Sequence, residues 1–245
     1  MAITPPKCRL CLQERPLLRS HIIPEFMYEA IYDHKHRFMT FKVDGGRPKI
    51  EQKGIREDLL CAECEQRFGD YETYVARIWR GQEQVSHRRE GKLVTLEGVD
   101  YARLKLFQMS VLWRAGVSSD PFFAKVQLGP HQERLRSLLV SADPAEPERY
   151  GCLMFALALN DRPVFELIVQ PTETHVDGCR LYRFVFGGMT WNHVVASHRS
   201  RMLSPLFAAP DGVVRIVVGE LQEASFLVES LGKVARNNPN PPALR

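Results

Sequence analysis

Cys8-Arg9-Leu10-Cys11 and Cys61-Ala62-Glu63-Cys64 decide how this chain is read. Of six cysteines in 245 residues, four stand in these two C-x-x-C pairs. Each pair can close a tight turn that points both sulfurs at one ion, and two such turns complete a tetrahedral four-thiolate set. Disulfides are rare in reducing compartments, so paired C-x-x-C elements favour metal there. We therefore expect a structural Zn²⁺ held by Cys8, Cys11, Cys61 and Cys64. A site with four protein ligands is closed: it folds the chain around it and does no chemistry itself. Cys152 lies in an apolar run and reads as core, while Cys179, beside Gly178, fits either a buried or an exposed position.

Outward from the two pairs, the texture changes along the chain. Residues 1–95 are polar, cysteine-bearing and irregular; residues 96–245 read as a conventional packed domain, with 237–245 a frayed tail. The junction is expected within Gln82–Gly98. In the first part, Leu17–Ile23 suits a short strand and Pro24–Tyr32 a helix opened by its proline. The runs 37–43 and 47–53, separated by Asp44-Gly45-Gly46, suggest a hairpin. Phe68, Tyr71, Val75 and Ile78 fall at helical spacing within Glu65–Arg80. In the second part, Tyr101, Leu104, Phe107, Val111 and Leu112 make one helical face, and Gln132–Val140 a shorter helix. Strands are expected at Cys152–Leu159, Val164–Val169, Arg180–Phe186, Trp191–Ala196 and Val213–Val218, and a last helix at Phe226–Arg236. The predicted class is α+β: an N-terminal zinc-bound region followed by a mixed domain of helices and antiparallel sheet.

Composition narrows the function classes. The chain is 44% apolar with a net charge of +4, which excludes a disordered polyelectrolyte. Its longest apolar run, Cys152–Leu159, is far below the roughly 20 residues of a membrane-spanning helix. No apolar leader stands at the N-terminus, so a soluble, cytoplasmic protein without membrane partners is expected. The slight basic excess is too small to coat nucleic acid globally; any such contact has to be a local patch.

A resemblance rests on Cys8-Arg-Leu-Cys11, then Ser20-His21-Ile22-Ile23-Pro24, then Leu59-Leu60-Cys61-Ala62-Glu63-Cys64. In this order and wording, residues 7–75 resemble the HNH (His-Me finger) endonucleases, in the branch where two C-x-x-C knuckles bracket a ββα-metal core. The resemblance implies that His21 is the general base activating water against a phosphodiester, beside a catalytic Mg²⁺ or Mn²⁺ distinct from the zinc. Three positions depart from the family pattern. Ser20 replaces the usual acid or histidine before the base. Arg56 replaces an asparagine that orients it, and is suited to gripping a phosphate. Glu65 replaces a metal-binding histidine, and its carboxylate suits Mg²⁺ or Mn²⁺; Glu57 and Asp58 stand near enough in sequence to complete a metal shell. Two readings follow: a metal-dependent endonuclease using His21, Glu65 and Arg56, or a zinc-stabilised nucleic-acid- or protein-binding module without catalysis.

Arg77, Arg80, Arg88, Arg89 and Lys92, interleaved with Trp79 and His87, are candidate nucleic-acid contacts, with DNA favoured over RNA. A solvated helix end reads the same way. His34-Lys35-His36-Arg37 reads as an exposed turn. Trp191-Asn192-His193 and His198-Arg199-Ser200-Arg201 lack an acidic partner at recognisable spacing and read as core plus a surface loop; Gly187-Gly188 suggests a bulge. The sequence assigns the second region no role; a protein partner or self-association through it stays open.

Overall fold

Leu18–His21 forms β1, and the chain then turns through the helix expected at Pro24–Tyr32, which is a 3-10 helix over Glu25–Ile31. The computed structural model describes residues 6–42, 44–198 and 202–238; Val43, residues 239–245 and Arg199-Ser200-Arg201, on which most of an expected surface loop falls, lie outside them. β2 (Arg37–Thr40) and β3 (Lys49–Gln52) make the expected hairpin. β4 (Arg56–Leu60) returns antiparallel to β1, placing His21 opposite Arg56 and Arg19 opposite Asp58. α1 (Ala62–Trp79) follows at once, with Glu63 and Glu65 in its first turn, where carboxylates favour the positive end of the helix dipole.

The segment between the two textures is structured. β5 (Ser86–Glu90) and β6 (Leu93–Glu97) form a hairpin, so the textural boundary near residue 95 falls inside a strand. α2 (Tyr101–Val117) starts at an Asp100 side chain that accepts from the Arg103 amide at 3.0 Å. Its residues from Leu104 to Ala115 are buried on every side, beyond the single face that the periodicity indicates. α3 (His131–Ser141) packs beside it.

The remaining chain builds most of the main sheet from β7 (Cys152–Leu159), the two-residue β8 (Arg162–Pro163), β9 (Val169–Val176), β10 (Cys179–Phe186), β11 (Met189–Val195) and β12 (Val214–Glu220); α4 (Ser225–Asn237) closes the described chain. Strand order is β5-β6-β12-β7-β11-β10-β9, with β8 against β7. The sheet departs from the expected antiparallel one at a single pair, because β12 runs parallel to β7. A strand expected at Val164–Val169 is displaced to Val169–Val176, and Val164 and Leu167 instead pack against a small cluster around Leu157 and Leu227. Gly187 and Gly188 are not a bulge: with φ of 59° and 75° they form the two-residue loop joining β10 to β11, a conformation glycine adopts freely.

One hydrophobic cluster runs from Cys8 and Leu10 through Phe68, Phe107, Trp113 and Trp191 to Val214, so both halves share a core. Trp191 stacks on Trp79 of α1 with ring centres 5.7 Å apart. Cys152, Cys179, Trp191, Asn192 and His193 are buried, as core positions should be, whereas His198 is exposed. No helix among the described residues is long and apolar enough to cross a membrane.

Candidate metal centre and the histidine beside it

The Cys8–Cys11 turn hangs on the end of β4. The Arg9 amide donates to the Leu59 carbonyl at 2.9 Å, and the Leu12 amide closes back on the Cys8 carbonyl at 3.0 Å. Leu12 takes a left-handed φ of 62°, which bends the chain sharply behind Cys11. Cys61 stands immediately before α1 and Cys64 in its first turn. The four sulfurs all lie within 4.8 Å of one another, and Cys11 Sγ to Cys61 Sγ is 3.8 Å. Four sulfurs at about 2.3 Å from a tetrahedral ion stand roughly 3.8 Å apart, so the cluster can hold a metal ion with little movement. The Cys61 amide already donates to Cys8 Sγ at 3.4 Å. Burial pushes the Cys64 and Cys11 thiols up, while at Cys61 burial is outweighed by hydrogen bonds from the Cys64 amide and the neighbouring thiols, which bring it down to about 7; a bound cation would favour the thiolate at all four.

One later helix, α3, braces this knuckle at both of its ends. Arg136 of α3 donates to the Leu10 carbonyl at 2.7 Å, and Arg67 of α1 reaches the Val140 carbonyl at the same distance.

His21 ends β1, on the strand that pairs with the one leading into Cys61. Its ring is largely buried over Gly54, whose φ of 70° keeps a side chain away: a Cβ there would stand 2.8 Å from His21 Cδ2. Nε2 lies 3.0 Å from the Lys53 carbonyl. A carbonyl only accepts, so Nε2 carries the proton and the neutral ring presents Nδ1 as a bare acceptor. Burial, above all, holds the His21 pKa below the ordinary histidine value; the Lys53 bond and Glu25 oppose it, and Arg56 and Arg114 add to it. The imidazole is therefore neutral near pH 7.

Behind the ring, Arg114 of α2 is 1% exposed and donates to the His21 carbonyl at 2.6 Å. It pairs with Glu72 of α1 at 2.6 Å and lies over the Phe68 ring. Ser20, wholly buried, donates to Glu65 Oε2 at 2.5 Å. Ser20 of β1 and Glu65 of α1 thus meet each other. Arg56 faces His21 across the ladder, and its Nε is buried without a hydrogen-bond partner.

Glu57 lies elsewhere. Its carboxylate accepts from the Ser118 and Ser119 hydroxyls, both at 2.7 Å, and from the Ser119 amide, which holds it below the ordinary carboxylate range despite the cost of burial. Asp58 is exposed. The cysteines are the one set of three or more such ligands close enough for a single ion among the described residues. The basic run is also dispersed: Arg77 and Arg80 close α1, while Arg88, Arg89 and Lys92 ride the β5–β6 hairpin. Each has an acidic neighbour, respectively Glu83 at 3.0 Å, Glu29, Glu90 at 3.3 Å, Asp161 at 4.0 Å and Glu223 at 2.9 Å.

Sequence reasoning passed over Lys53, Gly54 and Arg114. Arg114 left a signal, being a charge set between Trp113 and Ala115 in an otherwise apolar stretch. No protein-family model, curated protein or solved structure matches this chain.

Proposed function

We propose that the chain is a metal-dependent endonuclease of HNH type that hydrolyses nucleic-acid phosphodiesters, with DNA the favoured substrate and Zn²⁺ in the four-cysteine site as its structural ion. One observation carries the proposal: His21 is neutral, fixed through Nε2, and offers Nδ1 as a free acceptor at the end of a strand–strand–helix unit. That is the tautomer a general base needs.

In this reading Nδ1 takes a proton from water as its oxygen bonds to phosphorus, and the bond from phosphorus to the leaving nucleotide oxygen breaks. Arg56, opposite His21, pairs with a non-bridging oxygen. Glu65 would hold the catalytic Mg²⁺ or Mn²⁺, with the Ser20 hydroxyl beside it; a single carboxylate suits an ion that keeps most of its waters and takes the rest of its shell from substrate phosphate. When bound, that ion supplies neutralisation of the charge that develops on phosphate. Arg114 fixes the backbone of His21 from below.

One observation favours a second reading, a zinc-stabilised binding module without catalysis: apart from the four cysteines, no three candidate ligands lie close enough together for a single ion among the described residues. Incubating zinc-loaded protein with plasmid DNA and structured RNA, with and without Mg²⁺ or Mn²⁺, separates the two. Cleavage that needs both the added metal and His21, and is lost in His21→Ala while zinc content and melting temperature persist, supports the nuclease. Cleavage undiminished in His21→Ala refutes it, and no cleavage by folded, zinc-loaded protein supports the module.

A further inference from the structure

The cations expected to touch nucleic acid each lie beside a carboxylate, in exposed pairs worth little, whereas three others have no such neighbour within ion-pair distance among the described residues. Arg19, Lys53 and Arg56 wall a cleft of about 390 Å³ together with Glu51, Gln52, Gly54, Ile55 and Asp120. None of the three forms an ion pair among the described residues, although Arg77, Arg80, Arg88, Arg89 and Lys92 all do. Side chains two apart on a strand, and those directly opposite across a ladder, share a face. Arg19, His21 and Arg56 therefore project together from the β1–β4 pair, with the exposed Asp58, opposite Arg19, on the same face. Lys53 completes the wall from the loop whose carbonyl holds His21.

Of the two carboxylates in the cleft, Asp120 is occupied, accepting from the Phe122 amide at 2.8 Å. Glu51 sits on β3, opposite Phe38. Arg56 carries the strongest demand for an anion. Its buried Nε has no partner, and a buried guanidinium nitrogen left unpaired is costly until an acceptor arrives.

We propose that this cleft seats the phosphate next to the scissile one, so that the nucleic-acid backbone runs over Arg19 and Lys53 and past Arg56, which lines the cleft and also faces His21 and so reaches both phosphates, and not along the basic run of residues 77–92. The inference rests on the nuclease reading for the word scissile, while the backbone track itself does not. A strand laid this way presents its phosphate chain to the His21 face, and a substrate with a single isolated phosphate fills only one of the two positions. The enzyme would then prefer internal phosphodiesters over phosphomonoesters.

Binding separates the track from the chemistry. Zinc-loaded His21→Ala protein, without added Mg²⁺, is titrated with a labelled DNA duplex by fluorescence anisotropy over a range of salt. Adding Arg19→Ala and Arg56→Ala is expected to weaken binding at least tenfold and to flatten the log K against log salt slope by about 2, near one unit for each lost phosphate contact. Replacing Arg77, Arg80, Arg88, Arg89 and Lys92 together is expected to change affinity less than threefold. The charge reversals Arg19→Glu and Lys53→Glu, at exposed positions, serve as a second variant that leaves the core untouched. Unchanged binding in both cleft variants, a loss confined to the 77–92 variant, or no DNA binding at all overturns the track. If the cleft variants lose binding but the native protein never cleaves, the track stands and the nuclease reading falls. If the native protein cleaves, and Arg19→Glu with Lys53→Glu made in the native background leaves KM unchanged, the nuclease reading stands and the track falls.

Discussion

Gly54→Ala tests whether the packing over His21 is as tight as the structure has it. Gly54 has φ of 70°, and a Cβ would meet His21 Cδ2 at 2.8 Å, Nε2 at 3.1 Å and Tyr28 Cε2 at 3.2 Å. Two costs follow. Holding an alanine left-handed costs about 1–2 kcal/mol, and forcing a methyl into a filled site adds about 1–3 kcal/mol. Gly81 supplies the control, with φ of 65° and nothing within 4 Å of its would-be Cβ, so Gly81→Ala carries the backbone cost alone. Calorimetry of the two variants should show Gly54→Ala as the less stable by about 1–3 kcal/mol, a difference of roughly 2–12 °C in a chain of this size. Relief by swinging the imidazole outward would break the bond to the Lys53 carbonyl. The His21 pKa, followed by NMR, should then rise toward the ordinary value near 6.5. Equal losses at the two glycines, with no change in His21 titration, would refute the placement of the ring over Gly54.

Other consequences are as direct. Stripping the metal with a chelator, or Cys61→Ser, should release one zinc per chain and abolish the near-ultraviolet signal of Trp79 and Trp113, because α1 begins at that cysteine pair; an unchanged spectrum with zinc gone would show the site to be dispensable. His193 is buried with both ring nitrogens unpartnered, and burial, aided by Lys105, pushes it down to about 3. The unfolded chain binds that proton near pH 6.5 and the folded one does not, so this group's share of stability is intact above pH 6.5 and drains away as pH falls toward 3, by about 1.4 kcal/mol per unit. His193→Leu should remove that slope from urea midpoints measured between pH 6 and 4 and raise stability at pH 7 by about 1–3 kcal/mol; an unaltered slope would place the proton elsewhere.

What could be read in the chain follows from how local each signal is. The cysteine pairs, α1 and α3, and β7, β10, β11 and β12 were legible to within a few residues, because spacing and periodicity act over one or two turns. The β5–β6 hairpin was not. All five residues of β5 are exposed, so the strand has no alternating pattern, and β6 gains its partner from β12, more than a hundred residues on. The displaced β9 failed for the opposite reason: Val164–Val169 is apolar enough for a strand, yet its residues fill a satellite cluster instead. At the candidate site, His21 was marked by wording that resembles the HNH pattern and Glu65 by standing where that pattern has a histidine, and the structure adds a contact between Ser20 and Glu65 that neither residue's neighbours announce. Lys53, Gly54 and Arg114 reach His21 only through tertiary folding, and the unpaired cations were hidden because ion pairing is invisible in one dimension.

The arginines that brace the knuckle and the histidine carry a lesson for anyone who would lift this unit out. Arg114 holds the His21 carbonyl and Arg136 the Leu10 carbonyl, and both belong to helices that begin after residue 100. A fragment ending at Trp79 keeps all four thiols but loses both props. Such a piece should capture zinc yet show a loosened imidazole, with its pKa near that of free histidine. A fragment whose His21 titrated like that of the whole chain would prove the unit portable after all. As built, the chain is less a cassette with an appended partner than an arch, whose first stones stand only once the last are set.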